Sequence, residues 1–381
     1  MPVTTVELTA AQALALRMRS LLLRPTTAAR PADVAGVISW FGAMQAQDLG
    51  SGLWSLGVRL PELTRLDVQA ALERREALRT WPMRGTVHLV PSRDARWMVE
   101  LMGERILAGA AGRRANLGLA EETADRAVEV LRAALAGGGR LTRADCLAAL
   151  ADAGIDTSGQ RGYHLLWYAS QRAVTCLTPN IGSEQTFALL EEWVPDPHRP
   201  DRDTALATMA VRYFRSHGPT TRQDFAGWTG LTAVDAKRGI AVAGDRLGAV
   251  RVGGVEMIVD PTVLEAWLSE SGGSTNGQDE TDEVLALPGF DEYLLGFKDR
   301  TLMLDDAHKQ AIIPGGNGMF QSTIVRAGRV IGTWRRTVGR AAIKVDVLPL
   351  VRLRVADRRA VEAALAPYAR FIGLPVTVRW P

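Results

Sequence analysis

Between Trp40 and Gly52 the chain reads WFGAMQAQDLGSG, with two glutamines, Gln45 and Gln47, one residue apart. A carboxamide does not titrate, so it makes a poor general base. It can accept a hydrogen bond from a water and donate one to another group, which fixes the water in place. Positioning without deprotonation is enough only where the bond to be broken is already weak. Spacing adds a second condition. Residues two apart point to nearly opposite sides of an α-helix but share a face in extended backbone. Both amides reach one reacting centre only if the segment has left the helix. The apolar stripe Val34, Val37, Ile38, Phe41 and Met44 stops just before Gln45, and the glycines at 50 and 52 agree with a helix exit there. On these residues alone a second reading stays open, in which one or both amides satisfy backbone groups at a helix terminus.

Other chemistry is poorly represented. The sequence has no Gly-x-Ser-x-Gly elbow, no Walker A stretch and no Gly-x-Gly-x-x-Gly fingerprint. AGGGR, from Ala136 to Arg140, lacks the Lys-Ser/Thr that phosphate binding requires and reads as a turn. The acid pairs Asp305-Asp306 and Glu191-Glu192 read as solvated faces, and Asp291 in PGFDEYLLGFKDR is the better placed carboxylate. Cys146 and Cys176 form no framework and read as core residues. The five histidines are scattered, so neither a metal site nor a cofactor is expected. No apolar run approaches the ~20 residues of a membrane helix, and the N-terminus lacks the pattern of a signal peptide. A cytoplasmic location is expected, associated with the nucleoid if the protein binds DNA.

Net charge is only +3, yet nearly all of the 45 basic residues are arginine; the lysines are Lys237, Lys298, Lys309 and Lys344. A genome rich in G and C explains that bias, and so does phosphate recognition by the guanidinium fork. A modest total still allows a basic groove.

A chain of 381 residues needs more than one core. The glutamine segment follows a helix with Leu14, Met18, Leu21 and Leu22 on one face, and a second helix opened by Pro31 and Asp33. A third helix starts near Thr64, with Asp67 in capping-box position, and LRTWPMRGTVHLV then reads as two short strands or a strand and a turn. Helices followed by a β ribbon suggest a winged helix-turn-helix. The pattern returns around GRLTRADCLAAL and again around GPTTRQDFAGW, whose hairpin turns at Gly253-Gly254. Thr142-Arg-Ala-Asp145 and Thr221-Arg-Gln-Asp224 match as helix caps. Such repetition argues for a tandem array. SESGGSTNGQDETDE, Ser269 to Glu283, reads as a linker or long loop. Beyond it FDEYLLGF, MFQSTIV, RVIGTWRR, IKVDVLPL and PVTVRW read as strands of a small barrel, with one helix from Arg358 to Ile372. The expectation is an α+β chain: winged helices at 1–115, 116–198 and 199–268, a linker at 269–283, and a β-barrel-like domain at 284–381.

AMQAQD, WPMRGTVHLV, PGFDEYLLGFKDR and GNGMF, together with GRVIGTWRR, resemble in this order the winged-helix DNA glycosylases of the AlkZ/YcaQ type. The resemblance runs from Gln45 to Arg336. It implies three winged helices and a β-barrel forming a C-shaped clamp on double-stranded DNA that carries alkylated purines. A monomer without metal or membrane attachment is expected. Gln45-Ala46-Gln47 matches the Gln-x-Gln form of the AlkZ branch; Asp48 comes one position too late for the Gln-x-Asp form. The branch implies removal of N7-alkylated guanine, including bulky adducts or cross-links left by a genotoxic natural product, as self-resistance or base excision repair. Gln45 and Gln47 are then the catalytic pair. Arg84 and His88 flank the first wing and either meet DNA phosphate or form the solvent side of a hairpin. Lys298, Arg300, Arg335 and Arg336 are candidate phosphate contacts, and Asn317 marks a tight turn or a close backbone approach to DNA. Trp334 reads as core. Two other classes stay open, a non-catalytic DNA-binding regulator and a protein that sequesters the free alkylator.

Overall fold

The computed structural model describes residues 6–24, 30–270 and 283–381. The linker expected at 269–283 lies almost wholly outside them; Ser269 and Glu270 finish the helix Pro261–Glu270. The fold is mixed α and β, and one succession of elements occurs three times along the chain. Helix Val34–Phe41, strand Met44–Gln45, helices Leu49–Arg59 and Arg65–Glu73, and strands Ala77–Met83 and Thr86–Pro91 make the first series. Helix Glu121–Leu135, strand Leu141–Thr142, helices Arg143–Asp152 and Arg161–Gln171, and strands Thr175–Ile181 and Glu184–Leu189 make the second. In the third, helix Arg202–His217 leads through Thr220, bridged to Ile258, to helices Arg222–Thr229 and Ala233–Ala243 and the hairpin Gly248–Val259. The hairpin turns at Gly253 and Gly254, both at positive φ. Strand Val6–Leu8 pairs in parallel with Gly248–Val252, a pairing the sequence did not suggest.

Threonine caps open the helices where expected. Thr142 and Asp145 form a capping box, and Thr221 accepts from the backbone N–H of Asp224. Thr64 and Asp67 do the same for Arg65–Glu73, which is the third helix of its series rather than the second.

Compactness groups the chain differently from its order. One unit contains the described residues up to Val68, Leu206–Trp228 and Thr232–Pro381; the other contains Gln69–Ala205 and Thr229–Leu231. The second unit is built on an apolar cluster that includes Trp81, Leu131, Leu135, Leu165 and Phe187. Cys146 lies in that cluster, and burial pushes its thiol up to about 12. Cys176 is equally inert for the same reason, also at about 12.

Four expectations for the elements change. The stretch FDEYLLGF is not a strand: Glu292–Leu295 forms a helical turn capped by Asp291, which accepts from Tyr293 N–H. The glycines at 50 and 52 do not mark a loop, because they lie inside helix Leu49–Arg59. The C-terminal helix is two helices, Val355–Ala364 and Ala366–Ile372, parted before Pro367, which lacks the N–H that would continue the ladder. Finally, the barrel is only half made. Strands Val284–Leu287, Ser322–Arg326, Arg329–Val338, Ile343–Pro349 and Val376–Arg379 form one open sheet in that order. The last pairing is parallel, and the two short helices supply its crossover.

Candidate active site

Helix Val34–Phe41 ends at Gly42, whose φ of 81° only glycine adopts without strain. The chain then forms the two-residue strand Met44–Gln45, passes Ala46 and Gln47, and enters helix Leu49–Arg59 at Asp48. The glutamines therefore lie outside any helix, as one reacting centre requires. They are not equivalent: Gln45 is 6% exposed, whereas Gln47 is open to solvent. In the second series the strand residue Thr142 is itself the helix cap, and in the third the bridging Thr220 directly precedes the cap Thr221. Only the first series has two residues, Ala46 and Gln47, between strand and cap. The glutamine pair owes its spacing to that longer connection.

Asp48 has a structural task. It accepts from Gly50 N–H at 3.1 Å and Ser51 Oγ at 2.7 Å, satisfying groups of the first helical turn. Arg336 donates to Asp48 Oδ2 at 2.8 Å and to Ser51 Oγ at 3.3 Å. The helix behind the motif is anchored on the C-terminal part of its own unit. Trp54 donates to Ala286 O at 3.0 Å and packs on Tyr368 and Phe371 with ring centroids 5.0 and 5.2 Å away. Gly52 lets the helix close on the motif, since a Cβ there would stand 2.8 Å from Ala46 Cβ. Gly57 does the same for Phe371, at 2.6 Å.

Beneath the motif are carboxylates of PGFDEYLLGFKDR. Asp291 meets Arg59 in a two-pronged ion pair, with Nη1–Oδ2 at 2.8 Å and Nη2–Oδ1 at 2.9 Å, and both residues are buried. Arg59 also donates to Leu21 O and Ser55 O. Asp291 is thus a strut for the motif helix, not an acid or base facing a substrate. Glu292, fully buried, accepts from the backbone N–H of Gln45 at 3.0 Å. Neither Arg59 nor Glu292 was singled out in the sequence. A buried charge has no periodic signature, and its partner here is more than two hundred residues away.

The expected DNA contacts fare unevenly. His88 is fully buried, so it is not the solvent side of its hairpin; Nδ1 lies 2.8 Å from Thr86 O and Nε2 3.3 Å from Arg84 Nη2. Arg84 and Gly85 form the turn, both at positive φ. Arg300 is folded back, donating to Leu294 O at 2.7 Å and lying over the Phe320 ring. Arg336 is engaged with Asp48, as above. Lys298 and Arg335 are exposed. Asn317 makes a tight turn, accepting from Met319 N–H at 2.9 Å. Trp334 is core, donating to Leu287 O at 2.8 Å. Lys298 is tethered by its backbone: its N–H and that of Asp299 donate to Asp224 Oδ1. Burial would raise the Asp224 carboxyl, but hydrogen bonds from Thr221, Asp299, Lys298 and Thr220 outweigh it and hold the group below its ordinary range.

The acid pairs are solvated or structural. Asp306 meets Lys309, Glu191 meets Arg132, and Glu192 accepts from Gly137 and Gly138 N–H in the AGGGR turn. No group of three or more His, Cys, Asp or Glu among the described residues could hold a metal ion. No helix among them is long and apolar enough to cross a membrane.

A family model described as DNA glycosylase AlkZ-like matches residues 38–371, which include the glutamine motif, both buried carboxylates and four of the five strands of the half-barrel. The chain belongs to the AlkZ-like DNA glycosylase family. It is 28% identical to the interstrand DNA cross-link repair glycosylase of Streptomyces sahachiroi, over 96% of this chain and 98% of that one. The solved structure of the Streptomyces sahachiroi DNA glycosylase AlkZ superposes with a TM-score of 0.77 at 26% identity, covering 98% of this chain and all of that one. Membership makes this AlkZ-like protein a DNA N-glycosylase, a hydrolase of N-glycosyl bonds.

Proposed function

We propose that this AlkZ-like enzyme hydrolyses the N-glycosidic bond of N7-alkylated guanine in duplex DNA, with Gln45 and Gln47 as the catalytic pair. The observation that carries the reading is the extra strand-to-cap connection of the first series, which frees two amides from helix geometry and leaves Gln47 open. N7-alkylated guanine is cationic and departs as a neutral base. Water forms the new bond to C1′ as the C1′–N9 bond breaks; its electron pair returns to the purine ring, and the water proton passes to solvent. The amides hold that water, and their carbonyl dipoles stabilise the positive charge that develops on the sugar. No general acid is needed, because the leaving group arrives already activated. The reading extends to interstrand cross-links and bulky adducts, as in self-resistance to a genotoxic natural product. Its support is the Streptomyces sahachiroi relative, which is named for cross-link repair.

The three series are read as winged helices, with the third helix of each followed by its hairpin wing. Lys298 and Arg335 serve as phosphate contacts, and Arg84, held against His88, serves at the first wing. The enzyme acts as a monomer, and no covalent lyase step is involved, since that needs an amine nucleophile and the four lysines lie far from the motif in sequence. The test is single-turnover release of N7-methylguanine from alkylated duplex by the wild type, Gln45→Ala and Gln47→Ala. A loss of at least tenfold in both variants is expected. Unchanged rates in folded variants overturn the assignment, and a Schiff base trapped on reduction overturns the monofunctional mechanism.

A further inference from the structure

Glu292 is placed to act on the glutamine pair from behind. Its Oε1 accepts from Gln45 N–H at 3.0 Å, and its Oε2 accepts from the indole N–H of Trp228 at 2.9 Å. Both donors are obligate, so each oxygen is an acceptor. His217 Nε2 lies 3.4 Å from Oε2, and its Nδ1 lies 2.8 Å from Ser216 Oγ. Glu292 and His217 are both fully buried. The imidazole is clamped by aromatic rings: it stacks on Tyr213 with centroids 4.6 Å apart and meets Phe41 edge-on at 5.7 Å. Gly296 closes the remaining side, because a Cβ there would lie 2.2 Å from His217 Cδ2. The side chains on Oε2, Trp228 and His217, are themselves buried, so the carboxylate is held against Gln45 from the far side.

We infer that Glu292 is a positioning residue for glycosidic cleavage, holding Gln45 through its backbone N–H and setting a fixed negative charge behind the site of the developing sugar cation. The inference rests on Gln45 and Gln47 being the catalytic pair. A strand of two residues has few bonds to define its path, and the bond to Glu292 ties it to the rigid core. A buried charge acts over short range with little solvent screening. It favours a cationic transition state without touching the duplex.

Three variants test this in single-turnover release of N7-methylguanine, each with duplex affinity and thermal unfolding measured alongside. Glu292→Gln keeps the shape, but its amide nitrogen cannot accept from one of the two donors, and the charge is gone. The expected result is a rate at least tenfold lower with duplex affinity within twofold of wild type. Trp228→Phe removes one donor and retains an aromatic ring, so it serves if Glu292→Gln does not fold; a smaller, roughly threefold loss is expected, again at unchanged affinity. Glu292→Gln added to Gln45→Ala should cost less than the two separate losses combined, because one acts through the other. A folded Glu292→Gln at wild-type rate, Trp228→Phe at wild-type rate, or full additivity overturns the inference. A rate loss matched by an equal loss of affinity does so as well. If Gln45→Ala and Gln47→Ala themselves leave the rate unchanged, the catalytic reading of the glutamines has failed instead.

Discussion

Gly52→Ala separates the packing of the motif from its chemistry. In helix Leu49–Arg59, alanine for glycine should stabilise by about 1 kcal/mol through helix propensity. The structure opposes this. The new Cβ would stand 2.8 Å from Ala46 Cβ and 3.2 Å from Ala46 Cα. Carbon atoms settle at about 3.5–4.0 Å, so roughly 1 Å must be recovered. Ala46 has no rotamer to change, and the movement falls on the backbone between Gln45 and Gln47. Overpacking of this kind costs about 1–3 kcal/mol, which leaves a net destabilisation of about 0–2 kcal/mol after the propensity gain. The catalytic effect should be larger, since a misplacement of about 1 Å at a reacting centre can cost on the order of 100-fold. Single-turnover base release and thermal unfolding read the two effects separately. Gly57→Ala, which meets the Phe371 ring at 2.6 Å instead, is the control; it should lower stability and spare the rate. Pairing Ala46→Gly with Gly52→Ala should recover part of the lost activity. A Gly52→Ala protein that is more stable than wild type and equally active would refute the reasoning.

Two further outcomes follow from the same geometry. Arg59→Met leaves Asp291 buried without its cation and should cost about 3–5 kcal/mol in denaturant unfolding; replacing Asp291 as well, with leucine, should restore much of that, and a loss below about 1 kcal/mol for the single variant would show the pair to be solvated. Neutralising the exposed Lys298 or Arg335 with glutamine should flatten the dependence of log affinity on log salt by roughly 0.9 for each phosphate that is no longer neutralised, whereas an unchanged slope in a salt titration would remove that residue from the interface.

Much of the local structure was legible because it is written in short-range rules. Apolar spacing at Val34, Val37, Ile38 and Phe41, the cap at Asp33, the Thr-x-x-Asp boxes and the Gly253-Gly254 turn each depend on neighbours within a few residues. The helix after the motif was not legible. Gly50, Gly52 and Gly57 argue against a helix when taken singly, and they are explained only by Arg336, Ala46 and Phe371 standing where side chains would go. FDEYLLGF misled for a related reason: its aromatic and aliphatic residues suit a strand, but Asp291 and Glu292 are held by Arg59, Gln45 and Trp228.

Family, reaction class and the likeness of three successive units were present in the sequence by itself, because motif order and repetition survive without coordinates. The exit of Gln45 and Gln47 from the helix was also present, in the end of an apolar stripe. Tertiary structure alone decided what stands behind them. It gave Asp48 to the helix cap and to Arg336, turned Arg300 and His88 inward, and brought Glu292 under Gln45 from 247 residues away. A buried carboxylate leaves no periodic trace in a chain; only folding brings its partners within hydrogen-bond reach.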